Sequence, residues 1–198
     1  MRTSLSSKAE DLFDATGIAA RAKRPGDPAP DVSLPDAAGH RMRLADVWRK
    51  GPLVVIFYRG GWCAYCNLQL RAWQREAPEL ARLGASLVAI SPQTPDNSMS
   101  TVEANELAFA VLSDSELEAA HGFGLAYTLH PDLVDFYANA GTDIPVLNGN
   151  GQWVLPVPAT YVIDTAGAIR LALIEEDIRA RAKPREVLAA IESMELRG

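Results

Sequence analysis

The chain of 198 residues contains two cysteines, Cys63 and Cys66, three residues apart in the stretch FYRGGWCAYC at 57–66. Two cysteines cannot make a disulfide framework for a chain of this length, so a close pair points to redox chemistry or metal binding. Before them runs PLVVIFY, apolar and β-branched, bounded by Gly51 and Gly60. After them AYCNLQLRAWQREAPELARLGA sets Leu70, Trp73, Ala77 and Leu80 at helical spacing. Strand, glycine loop, cysteine, helix is an order with a chemical consequence. A cysteine in the loop or first turn faces unpaired amides and the positive end of the helix dipole, which favour its thiolate. A second cysteine one turn further on can attack a mixed disulfide or a sulfenic acid on the first. The spacing predicts a reversible switch between dithiol and disulfide.

Two plainer uses compete with that one. The pair could be small buried hydrophobes, since free cysteine is commonly buried. It could belong to a structural zinc site, but that needs about four ligands. His40, His121 and His130 are scattered, so no metal is expected and the histidines receive no role. Trp62, which adjoins Cys63, is either core or part of a binding surface. Arg59 either solvates the loop or helps to keep a nearby thiolate ionised.

The surrounding elements must hold this loop in place. Apolar positions from Ser4 to Lys23 predict a helix, so residues 1–24 read as an N-terminal helical extension. RPGDPAPDVSLPDAAG is irregular chain in which DVSL supplies a short edge strand, and GHRMRLADVW reads as turn, strand and short helix. Pro78 is expected to kink the helix that follows the cysteines. SLVAIS and FAVLSD read as strands, MSTVEANEL and ELEAAHGF as helices; the alternation implies a parallel sheet covered on both faces. Residues 125–151 break the rhythm with a helix, PDLVDFYANAG, and a turn-rich LNGNGQ, and read as an insertion. ATYVID and AIRLALI, joined by TAG, predict an antiparallel hairpin, and KPREVLAAIESMEL a closing helix with Pro184 in its first turn.

Composition narrows the classes of function. With 48% hydrophobic and 22% charged residues, the chain is long enough for one sizeable core and short for two, so a single domain over 1–198 is expected. A net charge of -6 without a Lys/Arg-rich block argues against a general nucleic-acid binder. The opening MRTSLSSKAEDLFDATGIAA lacks the apolar run of a secretory signal. Nowhere do about 18 apolar residues run together as a spanning helix requires, so no membrane partner and a cytoplasmic location are expected. RGGWC lacks the lysine and spacing of a phosphate-binding loop, and EED at 175–177 reads as a solvated turn.

These residues also resemble a family. WCAYC behind a buried strand, followed much later by VPATYVID, is similar to the thioredoxin-like superfamily. PGDPAPDVSL followed by VVIFYRGGWCAYCNLQL resembles its peroxiredoxin branch, the alkyl hydroperoxide reductase and thiol-specific antioxidant family, from about Gly26 to Leu196. The resemblance implies an α/β thioredoxin-like fold, a central mixed β-sheet with helices on both faces. It implies a thiol peroxidase that reduces hydroperoxides through Cys63 and Cys66, uses no cofactor, is recycled by a thioredoxin-like or other dithiol donor, and has room to form a homodimer. The same residues fit a thioredoxin-type disulfide reductase, and the fold alone would fit a non-catalytic binding module.

The two templates give the cysteines different tasks. In the thioredoxin frame Cys63 attacks and Cys66 resolves. In the peroxiredoxin frame the pattern of proline, three residues, threonine or serine, two residues and cysteine falls on Arg59, Cys63 and Cys66, which makes Cys66 the peroxidatic residue. The chain departs from that pattern at Arg59 and Cys63, and Pro158 occupies the position aligned with the family's arginine. The thioredoxin frame implies a cis peptide at Pro158, facing the pair. Trp62, Pro158 and Arg59 are thus the expected substrate-positioning residues. Family position favours Cys66 as the attacker of peroxide and the helix dipole favours Cys63.

Overall fold

The computed structural model describes residues 16–175, 177 and 179–195. Most of the helix expected between Ser4 and Lys23 lies outside these residues, of which α1 (Ile18–Arg21) is the first helix. Chain order then runs β1 (Ser33–Pro35), β2 (Arg41–Arg43), α2 (Leu44–Trp48), β3 (Leu53–Phe57), α3 (Ala64–Arg82), β4 (Ser86–Ser91), α4 (Pro95–Asn105), β5 (Ala110–Ser113) and α5 (Glu118–Gly122). It continues with β6 (Ala126–Thr128), α6 (Pro131–Asn139), α7 (Ile144–Asn148), β7 (Val154–Pro156), β8 (Ala159–Ile163), β9 (Ile169–Ile174) and α8 (Pro184–Glu195).

The apolar run before the cysteines forms the middle of the sheet. The strand order is β5-β4-β3-β8-β9. β3 pairs in parallel with β4 (Val55 opposite Val88) and β4 with β5, whereas β8 is antiparallel to both β3 (Val55 opposite Tyr161) and β9. The sheet is therefore mixed: crossover helices return the chain for the parallel strands, and the TAG turn reverses it between β8 and β9.

Every residue of β3 is buried, as expected for a strand covered on both faces. Leu53, Val55 and Phe57 join one core with Leu44 and Trp48 of α2 and Ala119 of α5. Val54 and Ile56 join the other with Leu70 and Trp73 of α3 and Val187 and Ile191 of α8. The alternation of side chains along one strand thus places helices on both faces. Helix α3 runs through Pro78 without a break in its span. No helix among the described residues is long and apolar enough to cross a membrane.

Residues 125–151 contain more structure than the one helix expected there. β6 pairs antiparallel with β7, Tyr127 opposite Leu155, and α6 and α7 lie between the two strands. The turn-rich reading missed α7, whose Asp143 N-cap carboxylate accepts from the Val146 amide. Leu129, Tyr137, Ile144 and Leu155 form a small core of their own, against which Trp62 packs. That contact brings the segment over the cysteine loop.

Candidate active site

Helix α3 begins at Ala64, with Cys63 at its N-cap in extended conformation. The thiol therefore occupies the position where unpaired helix amides are concentrated. Cys66, one turn on, is completely buried, while Cys63 is 3% exposed. Both are free thiols.

The loop before them is shaped by its glycines. Gly60 adopts φ 144°, and a Cβ there would stand 2.5 Å from Trp62 Nε1. A Cβ on Gly61 would stand 2.3 Å from Thr101 Oγ1 of α4. The backbone thus lies directly on its neighbours. Side chains clamp it there: the Gly61 amide donates to Gln93 Oε1 (2.7 Å), and its carbonyl accepts from Asn67 Nδ2 (2.7 Å). Asn105 Nδ2 donates to Asn67 Oδ1, and Arg71 Nη1 donates to Asn105 Oδ1. Gly61→Ala is expected to destabilise the fold by about 1–3 kcal/mol through overpacking against Thr101. Chemical denaturation of Gly61→Ala, Thr101→Ala and the double variant checks this. The double variant should recover most of the loss, and simple additivity would refute steric overlap as the cause.

Two guanidinium groups address the sulfurs. Arg59 is buried, its Nη2 donates to Cys63 Sγ at 3.1 Å and its Nη1 donates to Tyr137 Oη at 2.6 Å. Its guanidinium carbon lies 5.1 Å from the Trp62 ring centroid, a cation-π arrangement, and Trp62 meets Tyr137 edge to face at 5.2 Å. Burial opposes the Arg59 charge, but Tyr137 and the two sulfurs outweigh it and raise the pKa further above its ordinary value. The second cation is Arg181, between β9 and α8. Its Nη2 donates to Cys66 Sγ at 3.1 Å and reaches Cys63 Sγ at 3.8 Å.

These neighbours separate the two thiols. The Cys66 thiol, offering its proton to the Cys63 sulfur, is the largest influence on Cys63; with the Arg59 charge it outweighs burial and lowers the Cys63 pKa to about 5. Burial pushes the Cys66 thiol well above its ordinary range, Cys63 adds to the rise, and Arg181 counters it only in part. The arrangement at neutral pH is a Cys63 thiolate beside a Cys66 thiol. Such a pair can act as nucleophile and resolving group one helical turn apart.

The expected positioning residues fare differently. The structure brings Arg59 and Trp62 together at Cys63. Pro158 precedes β8 at the same end of the sheet, but no described peptide bond is cis, so the expected cis Val157-Pro158 bond is corrected to trans. Trans is the ordinary preference for such a bond, and the Pro158 carbonyl has a structural task, accepting from the Glu175 amide at 2.9 Å. The cationic donors to the sulfurs are Arg59 and Arg181, neither of which is Pro158's neighbour in sequence. Sequence reasoning missed Tyr137, Arg181 and the Gln93, Asn67 and Asn105 clamp. The helix carrying Tyr137 was legible, but no local signal set its phenol against Arg59 or distinguished Arg181 from the other charges in its segment.

The geometry can be compared with known proteins. A family model described as AhpC/TSA matches residues 25–172. A putative peroxiredoxin of Mycobacterium tuberculosis H37Rv is 33% identical over 100 residues, which are 50% of this chain and 63% of that protein. Peroxiredoxin Bcp of Escherichia coli K12 is 30% identical over 100 residues, 50% of this chain and 64% of Bcp. The matched stretch thus spans less than two thirds of either relative. The crystal structure of peroxidoxin BcpB from Mycobacterium tuberculosis superposes with a TM-score of 0.71 at 24% identity, covering 86% of this chain and 97% of that one. This likeness shows the fold, the thioredoxin-like α/β arrangement. The family match takes in both cysteines together with the central strand and the strands on either side of it, and by that match the chain belongs to the AhpC/TSA family.

Proposed function

We propose that the protein is a thiol peroxidase in which Cys63 attacks a hydroperoxide and Cys66 resolves the product. The observation that carries this reading is the Cys63 sulfur held anionic between the Arg59 guanidinium and the Cys66 thiol. Membership of the AhpC/TSA family and similarity to named peroxiredoxins support the choice of substrate class. The chemistry balances within the site. The Cys63 thiolate attacks one peroxide oxygen; the O–O bond breaks and the alkoxide leaves, taking up a proton to become an alcohol. Sulfur is oxidised by two electrons to a sulfenic acid. Attack by Cys66 then releases water and closes a disulfide, which a dithiol donor of the thioredoxin kind reduces for the next turnover. A reducing cytoplasm is the setting that supplies such a donor. On this reading 125–151 is an insertion in a single domain that places Tyr137 over Arg59.

A second reading, disulfide reduction by the same pair, has an observation in its favour. The lower pKa belongs to the N-terminal cysteine and the buried, higher one to its partner, a polarity that suits attack on a disulfide followed by resolution. Reduced protein mixed separately with hydrogen peroxide and with glutathione disulfide distinguishes the two. The peroxidase reading expects thiol loss to peroxide to be the faster by about a hundredfold or more, since an Arg-paired thiolate is aimed at a small oxidant. Faster loss to the disulfide would overturn it in favour of the second reading.

A further inference from the structure

The second half of the cycle needs a negative charge at the least solvated atom of the site. Cys66 Sγ must become a thiolate to attack, yet Cys66 is completely buried in the core that holds Leu70, Trp73 and Val54 and Ile56 of β3. An anion there has no water to stabilise it. Arg59 gives its hydrogen bonds elsewhere, with one nitrogen on Cys63 and another on Tyr137, and acts on Cys66 only through its charge. The cation that touches Cys66 is Arg181, 3.1 Å from its sulfur and 3.8 Å from that of Cys63.

The backbone that carries Arg181 is tied down on the way from the sheet. The segment leaves β9 at Glu175, whose amide is tied to the Pro158 carbonyl beside the cysteine end of the sheet. It turns at Asp177, whose carboxylate accepts from the Arg179 amide at 2.8 Å and whose carbonyl accepts from the Ala180 amide. Buried Ala182 then leads into α8. Residue 181 also lies beyond 172, where the family match ends, so the matched pattern does not account for it.

We propose that Arg181 is the catalytic cation of the resolving step, stabilising the Cys66 thiolate as it attacks Cys63, while Arg59 serves the opening attack. The inference rests on the peroxidase reading for the identity of the oxidant and for the order in which Cys63 and Cys66 act. In the resolving step the Cys66 thiol gives up its proton, the S–S bond forms and the S–O bond at Cys63 breaks. The departing hydroxide takes the proton and leaves as water. Charge moves from Cys66 Sγ across the forming S–S bond to the oxygen leaving Cys63, and one guanidinium nitrogen lies within reach of both sulfurs along that line.

The test uses the full chain with Arg181→Gln and Arg181→Lys, and Cys66→Ser as the reference for a stalled sulfenic acid. Reduced protein receives one equivalent of hydrogen peroxide, and intact mass with dimedone trapping separates sulfenic acid from disulfide. Arg181→Gln should lose its Cys63 thiolate within about threefold of the wild-type rate but close the disulfide roughly ten- to a hundredfold more slowly, so that sulfenic acid accumulates. Arg181→Lys, which keeps the charge without the planar fork, should fall between the two and carries the comparison if the glutamine variant does not fold. Disulfide closure at the wild-type rate in the folded variants, or slowing confined to the opening attack, would overturn the proposal.

A second arm replaces peroxide by dithiobis(nitrobenzoate) and follows the mixed disulfide on Cys63. If the wild type ignores peroxide, the peroxidase reading fails while this arm still reads Arg181. A longer-lived mixed disulfide in Arg181→Gln supports the role, and an unchanged lifetime refutes it.

Discussion

Cys63→Ser should lose nearly all of its reaction with hydroperoxide, and Cys66→Ser should complete the first oxidation and stop. The asymmetry follows from the environments. Cys63, with a pKa of about 5, is ionised at neutral pH and touches Arg59. Cys66, buried and held well above its ordinary range, stays protonated there. Removing Cys63 leaves no thiolate, so the expected loss is at least a thousandfold in the rate of thiol oxidation. Removing Cys66 leaves the attack but no resolving thiol, so mass measurement should show one added oxygen per chain in place of two lost hydrogens. The serine hydroxyl keeps a donor beside the Cys63 anion, so the first oxidation should proceed with Cys63 still ionised at neutral pH. In the wild type the opening rate should climb as pH rises through about 5 and then level off, because the thiolate is the reactive form. An ordinary thiol would keep climbing to about pH 8.5. Rapid oxidation of Cys63→Ser with Cys66→Ser inert would give the attacking role to Cys66, as the family position implied.

The second large effect is expected at Arg59. Its guanidinium is buried, joins Cys63 to Tyr137 and packs over Trp62, so Arg59→Gln removes the charge facing Cys63 and leaves a sulfur and a phenol short of a donor. If the Cys63 pKa returned to an ordinary value near 8.5, the thiolate fraction at neutral pH would drop by about thirtyfold. The opening rate should fall by up to that factor and the rate–pH curve should shift to higher pH. Arg59→Lys should restore part of the shift, since it brings a point charge without the two-ended fork. Tyr137→Phe serves as the comparison, removing the acceptor from Arg59 while keeping the ring against Trp62. Stopped-flow thiol loss and thiolate absorbance across pH measure both quantities. An unchanged curve for Arg59→Gln would show that the helix end and Cys66 ionise Cys63 without it.

The sequence revealed the parts of this site that are specified locally. Burial of β3 on both faces, the glycine loop and the cysteines at a helix start all lie within 53–66, where composition and period dictate structure. The strands and helices flanking them were legible for the same reason. The remainder depends on contacts between distant segments. Tyr137 meets Arg59 across 78 positions and Arg181 meets Cys66 across 115, and neither distance has a signature in the run of residues around it. Pro158 shows the converse error. A proline before a strand was assigned a conformation from the thioredoxin template, whereas this chain keeps the trans bond and uses the carbonyl to tie down Glu175. The segment 125–151 was legible as a departure from the rhythm, but the pairing of β6 with β7 that closes it is again non-local.

The position of β3 at the centre of the sheet bears on how such a chain can diverge. The strand that delivers Cys63 is paired on both edges and buried on both faces, so a substitution there disturbs folding before it can alter reactivity. Arg181 instead arrives from the segment between β9 and α8, where Asp177 and Arg179 are exposed. Substitution therefore meets different tolerances at the two ends of the site: the loop and core around both cysteines are locked to the fold, while the cation facing Cys66 comes from a more exposed segment.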